Sequence, residues 1–251
     1  QVACLRRPLQ HHPPALIFEE QQTSMARRFS GPLEQHLMHL VLALLLLLGS
    51  AVQGARAGGS SGDFDYYVLA LSWSPTYCAR KGRNAEPLQC QASKPHRFIV
   101  HGLWPQYERG WPDFCRTRND RPSRHTVSGI LDIMPSRGLV SHQWRKHGTC
   151  SGLDPEAYFD TIRAAYDKIR IPAAFRTLER TGRIAPDGVE KAFRLANPGL
   201  RDAAMAVTCS RGALQEVKIC LTKDLEFRSC RAVDRSGCRA SKISVSPPLR
   251  R

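Results

Sequence analysis

Five histidines follow residue 57, at positions 96, 101, 125, 142 and 147, and three of them stand in two unusual segments. The first reads Phe98-Ile-Val-His101-Gly-Leu-Trp104-Pro105 and the second Ser141-His142-Gln143-Trp-Arg-Lys146-His147-Gly148-Thr149-Cys150. Read as one short helical turn stopped by Gly148, the second segment sets His142 four residues from Lys146 and Gln143 four from His147, so all four share a face. That face carries two imidazoles, an ammonium and an amide. Such a cluster repels itself unless it meets an anion, and a phosphodiester is the obvious one. Imidazole changes charge near pH 6.5, so two of them can divide acid and base duty near neutrality. One would take the 2′-hydroxyl proton of RNA while the other, protonated, gives its proton to the leaving 5′-oxygen. Lys146 and His142 would face the charge that develops on phosphorus.

A zinc site fits these residues poorly. Helical zinc ligation uses histidines four apart with a glutamate between them, whereas His142 and His147 are five apart with no carboxylate between. Cys150 could complete a His/His/Cys set, but in an oxidising compartment it would bond another cysteine. No metal and no cofactor are expected.

The elements that must hold these side chains can be read more coarsely. Residues 64–74 alternate, with Tyr67, Leu69, Leu71 and Trp73 on one side, which predicts a strand with Trp73 in the core. Residues 98–103 predict a second strand, with His101 on the side of Ile99 and Leu103. Residues 79–96 and 105–129 read as loops. Asp154-Pro155 is an N-cap followed by proline in the first turn, opening a helix whose apolar stripe is Phe159, Ile162, Tyr166 and Ile169 and which stops before Pro172. Shorter helices are expected at 173–180 and 187–195, and strands at 204–209, 214–221 and 225–230. With no repeat and no second core, the economical reading is one α+β domain, a central antiparallel sheet flanked by helices.

Residues 1–57 read as an upstream segment and a secretory signal peptide. From Met25 the order is basic (Arg27, Arg28), apolar (Leu40 to Leu48) and small (Ala55-Arg56-Ala57). The apolar run is shorter than the roughly 20 residues that span a bilayer, so the expectation is cleavage after Ala57, a domain of 58–251, and no stable membrane association. The chain carries a net charge of +15. Removing the leader takes Arg6, Arg7, Arg27, Arg28 and Arg56 against Glu19, Glu20 and Glu34, and leaves a formal +13. That charge suits RNA, anionic lipid or acidic glycan without choosing among them. Eight cysteines remain, at 78, 90, 115, 150, 209, 220, 230 and 238, with no CxxC pair. An even number in an exported chain points to disulfides, with 105 possible pairings.

Both histidine segments resemble the two active-site motifs of the ribonuclease T2 family, the secreted acid ribonucleases. The upstream Leu71-Ser-Trp-Ser-Pro-Thr-Tyr-Cys78 also looks like the family's first strand, and the likeness runs from about Phe64 to Cys238. The resemblance implies an endoribonuclease that leaves a 2′,3′-cyclic phosphate without metal. His101 would be the general acid, His147 the general base, and His142 with Lys146 would bind phosphate. It implies a base-binding pocket lined by Trp104 and Tyr107, a second base site around Pro135 and Ser136, and the disulfides Cys78–Cys90, Cys115–Cys150, Cys209–Cys238 and Cys220–Cys230.

One departure stands out. Where the family usually has glutamate after the first histidine of the second motif, this chain has Gln143. The amide keeps a hydrogen-bonding oxygen and loses the charge, so lowered rather than abolished activity is expected. Trp104 and Tyr107 could equally be core aromatics, and His96 and His125 sit in no constellation. Two other functions remain: a non-catalytic RNA binder disabled by Gln143, and a cationic membrane-active protein. The second is weakened because helix 156–170 mixes Arg163, Lys168 and Arg170 with Glu156, Asp160 and Asp167. The expected protein is a monomer, secreted or periplasmic, acting on single-stranded RNA at mildly acidic pH.

Overall fold

The structure, a computed structural model, describes residues 59–118 and 121–248. The expected leader, residues 1–57, lies outside the described residues.

The alternating run forms strand β1 (Tyr66–Trp73), flanked antiparallel by β2 (Phe98–Gln106) on one side and β5 (Ala213–Leu221) on the other. β5 also pairs antiparallel with β4 (Met205–Ser210) and, near its start, meets β6 (Ile243–Val245) in a parallel bridge; β6 pairs with β3 (Gly182–Ile184). The helices are α1 (Ser74–Lys81), α2 (Pro87–Cys90), α3 (Arg124–Gly129), α4 (Arg137–Lys146), α5 (Pro155–Asp167), α6 (Ala173–Arg176), α7 (Pro186–Ala196) and α8 (Arg231–Asp234). This is the α+β arrangement expected, with one sheet.

Alternation sends Tyr67, Leu69, Leu71 and Trp73 of β1 and Val217, Ile219 and Leu221 of β5 to the same face, where they meet Phe159 and Ile162 of α5 and Phe193 of α7 in the main core. Asp154 caps α5 as its sequence predicts, its Oδ1 accepting from the Ala157 N–H at 2.9 Å. Burying each of these large side chains contributes about 1.5–3 kcal/mol, so this face holds the fold together. The opposite face has only a small apolar cluster around Tyr66, Val68, Ala206 and Cys220. Beyond it lie the small or polar Ala70, Ser72, Glu216 and Lys218, so that face is free to carry chemistry.

Three local differences from the sequence reading have physical causes. β1 ends at Trp73 because Pro75 starts α1, a helix inside what reads as strand and loop. The strand expected over 225–230 shrinks to a bridge between Leu221 and Phe227, since Leu225 takes a left-handed φ of 63° that an extended ladder cannot continue. The short β3 and β6 instead support each other in segments with no expected strand. All four implied disulfides form: Cys78–Cys90, Cys115–Cys150, Cys209–Cys238 and Cys220–Cys230.

Candidate active site

The register of β1 against β2 slips at the centre of the sheet. Ala70 faces Gly102 and Leu71 faces Val100, leaving His101 as the extra residue of a bulge. Bulges re-aim side chains. Val100 and Leu103 stay in the core, while His101 turns to the open face and lines a cavity with Ile99 and Ser72. Simple alternation put His101 on the side of Leu103; the bulge separates them.

On that face His101 meets a carboxylate the sequence reading did not bring to it. Its Nδ1 lies 2.5 Å from Glu216 Oε1. Glu216 stands on β5, two strands from β2, so strand spacing alone separates the backbones by about 10 Å. The side chains meet because β1 contributes only Ala70 and Ser72 between them; Ser72 Oγ donates to the same carboxylate oxygen at 3.3 Å. Lys218 Nζ is 4.0 Å from the other oxygen. Burial pushes the Glu216 carboxyl up, but the hydrogen bond from His101, the charges of His101 and Lys218 and the Ser72 bond outweigh it and hold it below its usual range.

The second motif occupies the end of a full helix rather than a single turn. Ser136 Oγ caps α4 by accepting from the Leu139 N–H at 3.1 Å, and His147 follows the last helical residue. Gln143 and His147 face inward and are buried, Lys146 is half-buried and His142 exposed. The His147 ring stacks on Trp104, centroids 5.4 Å apart at 30°. Its Nδ1 is buried with no hydrogen-bond partner among the described residues. Desolvation, reinforced by Lys146, His101 and His142, pushes the His147 imidazole down to about 3. Burial and the neighbouring Arg145, Lys146 and His101 lower His142 as well.

Trp104 joins the two motifs. Its indole N–H donates to Gln143 Oε1 at 2.8 Å, its ring stands edge-on to His101 at 5.3 Å, and Lys218 Nζ lies 5.5 Å above it. The glycine after each histidine keeps this joint closed. A Cβ on Gly102 would fall 2.0 Å from Gln143 Oε1 and 2.4 Å from Trp104 Nε1, and one on Gly148 would fall 2.4 Å from the Trp144 ring. Gly148 therefore serves packing rather than a helix stop, and the chain passes into a 3₁₀ turn at Gly148–Cys150.

The remaining site residues divide. Ser136 lines a cavity of about 350 Å³ with His101, Glu216, Tyr77, Arg80 and Arg211, although its hydroxyl also donates to Glu86 at 3.0 Å; Pro135 is buried beside it. Tyr107 packs against the edge of the main core, beyond the end of β2, which favours the alternative reading of it as a packing aromatic. His96 and His125 lie away from the cluster. Cys150 is bonded to Cys115, which removes it from any His/His/Cys set, and no three His, Cys, Asp or Glu side chains among the described residues could hold a metal ion.

The sequence matches the family model of the Ribonuclease T2 family over residues 64–230. The chain belongs to the ribonuclease T2 family. It is an endoribonuclease of that family, similar to a ribonuclease of Aeromonas hydrophila at 38% identity over 190 residues, covering 74% of this chain and 84% of that protein. Among solved structures it resembles RNase NT in complex with 5′-AMP, with 25% identity and a TM-score of 0.58 over 74% of this chain and 100% of that one. The RNase-related protein from Calystegia sepium shares the fold, with a TM-score of 0.59 at 23% identity over 74% and 98% of the two chains. In this ribonuclease T2 the matched segment contains both histidine motifs and Glu216. Among the described residues no helix is long and apolar enough to cross a membrane.

Proposed function

We propose that this protein cuts single-stranded RNA by metal-free transphosphorylation, with His147 as the general base and His101 as the general acid. The observation that carries the reading is the asymmetry between the two imidazoles. His147 is buried beside Lys146, with no described residue accepting from its Nδ1, so it is held neutral, as a base that takes the 2′-hydroxyl proton must be. His101 has a carboxylate behind its Nδ1, which orients the ring for proton donation from its other nitrogen. The 2′-oxygen attacks phosphorus, the bond to the 5′-oxygen breaks as His101 supplies its proton, and a 2′,3′-cyclic phosphate is left.

His142 and Lys146 project from the same helix face as His147 and supply positive charge to the phosphorane. Trp104 positions both rings and presents a π-face to a base. The cavity beside His101, with Ser136 at its wall and Pro135 behind it, receives the neighbouring nucleotide. Acid, base and phosphate cations all come from one chain, so a monomer suffices. Four disulfides and the basic–apolar–small order of residues 25–57 support export, to the periplasm or beyond the cell.

The test is hydrolysis of single-stranded RNA by the oxidised protein from Gly58 onward, with EDTA, between pH 4 and 8, beside His101→Ala and His147→Ala. Cleavage that survives EDTA, yields cyclic phosphate ends and falls by about 100-fold or more in each variant is the expected result. A folded wild type that binds RNA and leaves it intact at every pH would replace this reading with that of a non-catalytic RNA binder.

A further inference from the structure

We propose that Glu216 is the positioning carboxylate of this active site: by accepting the Nδ1–H of His101 it fixes the tautomer that presents a protonated Nε2 to the leaving oxygen. The inference rests on the reading of His101 as general acid. It supplies a negative charge to His101 from a position 115 residues away in sequence, where the second motif carries the neutral Gln143.

Four observations carry it. The 2.5 Å contact joins one ring nitrogen of His101 to one carboxylate oxygen, and the same ring lines an open cavity. Glu216 is 5% exposed in a strand whose neighbours Leu214, Val217 and Ile219 are wholly buried. A carboxylate is costly to bury there unless its charge is used. Ser72 holds the same oxygen from β1, so the carboxylate is fixed on two sides. Among the described residues, the permanently charged side chains around this carboxylate and the cavity that His101 lines are cationic: Lys218 from β5, and Arg80, Lys81 and Arg211 on the cavity wall.

The proton account is closed within the site. His101 Nε2–H passes its proton to the 5′-oxygen as the phosphorus–oxygen bond breaks, and the ring becomes neutral with its Nδ1–H still on Glu216. The carboxylate stays ionised throughout and touches no substrate atom. The role of Glu216 is thus to orient the ring and to balance its charge before transfer, as buried acids behind catalytic imidazoles do elsewhere.

The test compares wild type, Glu216→Gln and His101→Ala on two substrates of the same base: a ribodinucleotide, whose alkoxide leaving group needs a proton, and a 3′-nucleoside p-nitrophenyl phosphate, whose phenolate does not. Glu216→Gln should lower kcat on the dinucleotide by about 10- to 100-fold, within the reach of a general acid's contribution, with KM nearly unchanged. It should retain activity on the nitrophenyl ester within about threefold on the same ground. That retained activity also shows that the variant folds. Equal losses on both substrates would reduce Glu216 to a structural residue, and unchanged rates on both would remove it from the site; either overturns the proposal. If His101→Ala cleaves the dinucleotide as wild type does, the reading of His101 fails instead, independently of Glu216.

Discussion

Placing a methyl group on Gly102 tests whether the rings of His101 and His147 are spaced by the joint between β2 and α4. The added Cβ would lie 2.0 Å from Gln143 Oε1, so that atom must retreat by about 1.4 Å to reach ordinary contact at 3.4 Å. Nothing so large is available without breaking the 2.8 Å bond from Trp104, because Gln143 is 1% exposed and enclosed by the helix. Losing a buried hydrogen bond costs about 1–3 kcal/mol and overpacking a filled site about as much again, so Gly102→Ala should destabilise the domain by about 2–5 kcal/mol. At this chain length that lowers Tm by about 5–15 °C. Displacing Trp104 also moves the surface against which His101 and His147 lie, and an error of 1 Å in such a constellation costs about 100-fold in rate. The control is Gly182→Ala, where an added Cβ meets nothing within 4 Å; it should change stability by no more than about 0.5 kcal/mol. Thermal unfolding and dinucleotide cleavage on both variants provide the comparison. A Gly102→Ala protein that melts with wild type and keeps its kcat would refute the idea that this joint sets the spacing.

Since desolvation and three neighbouring cations lower His147 to about 3, the acidic limb of kcat/KM should lie well below pH 6.5, and Lys146→Met, by removing a like charge, should move it to higher pH. The same depression means that the unfolded chain binds a proton at this position before the folded one does, so stability should fall as pH drops from about 6.5 towards 3; Tm against pH should lose part of that slope in His147→Asn. Gln143→Glu should keep the bond from Trp104 and add an anion beside His147, shifting the acidic limb upward, and an unmoved profile would show that the side chain at 143 does not influence the base. Replacing Cys115 and Cys150 together by alanine opens a 35-residue loop and should cost about 2–5 kcal/mol, with an added loss of activity because Cys150 closes the 3₁₀ turn directly after His147.

Much of this site was legible because its chemistry is local in sequence. His142, Gln143, Lys146 and His147 lie within six residues at the end of α4, so reading one turn instead of ten residues still grouped them, although Gln143 and His147 turn inward and His142 outward. The strand character of residues 98–103 was equally plain. The bulge at His101 was not, since an inserted residue leaves the apolar pattern on either side intact and only the register with β1 reveals it. Glu216 escaped for a different reason: its partner is distant along the chain. In the sequence Leu214-Gln-Glu-Val-Lys-Ile-Cys-Leu221 the acid alternates with apolar residues as on any half-buried strand, so nothing local marked it. Disulfide pairing was beyond the residues themselves, because spacing does not choose among 105 connectivities, and the family resemblance supplied it. The strand expected at 225–230 failed at Leu225, where the pattern is extended and the backbone is left-handed.

Trp104 touches His101, His147, Gln143 and Lys218 with a single ring. Substitutions at these five positions should therefore not combine additively: each redefines the surface on which the others are judged, and coupling energies of about 0.5–3 kcal/mol are expected between contacting pairs. For the history of this sequence the consequence is a constraint on order. The glycine at 102 and the indole at 104 form a unit that is hard to change one residue at a time, whereas position 143 admits glutamine or glutamate alike, because the joint asks only for an oxygen facing the indole N–H.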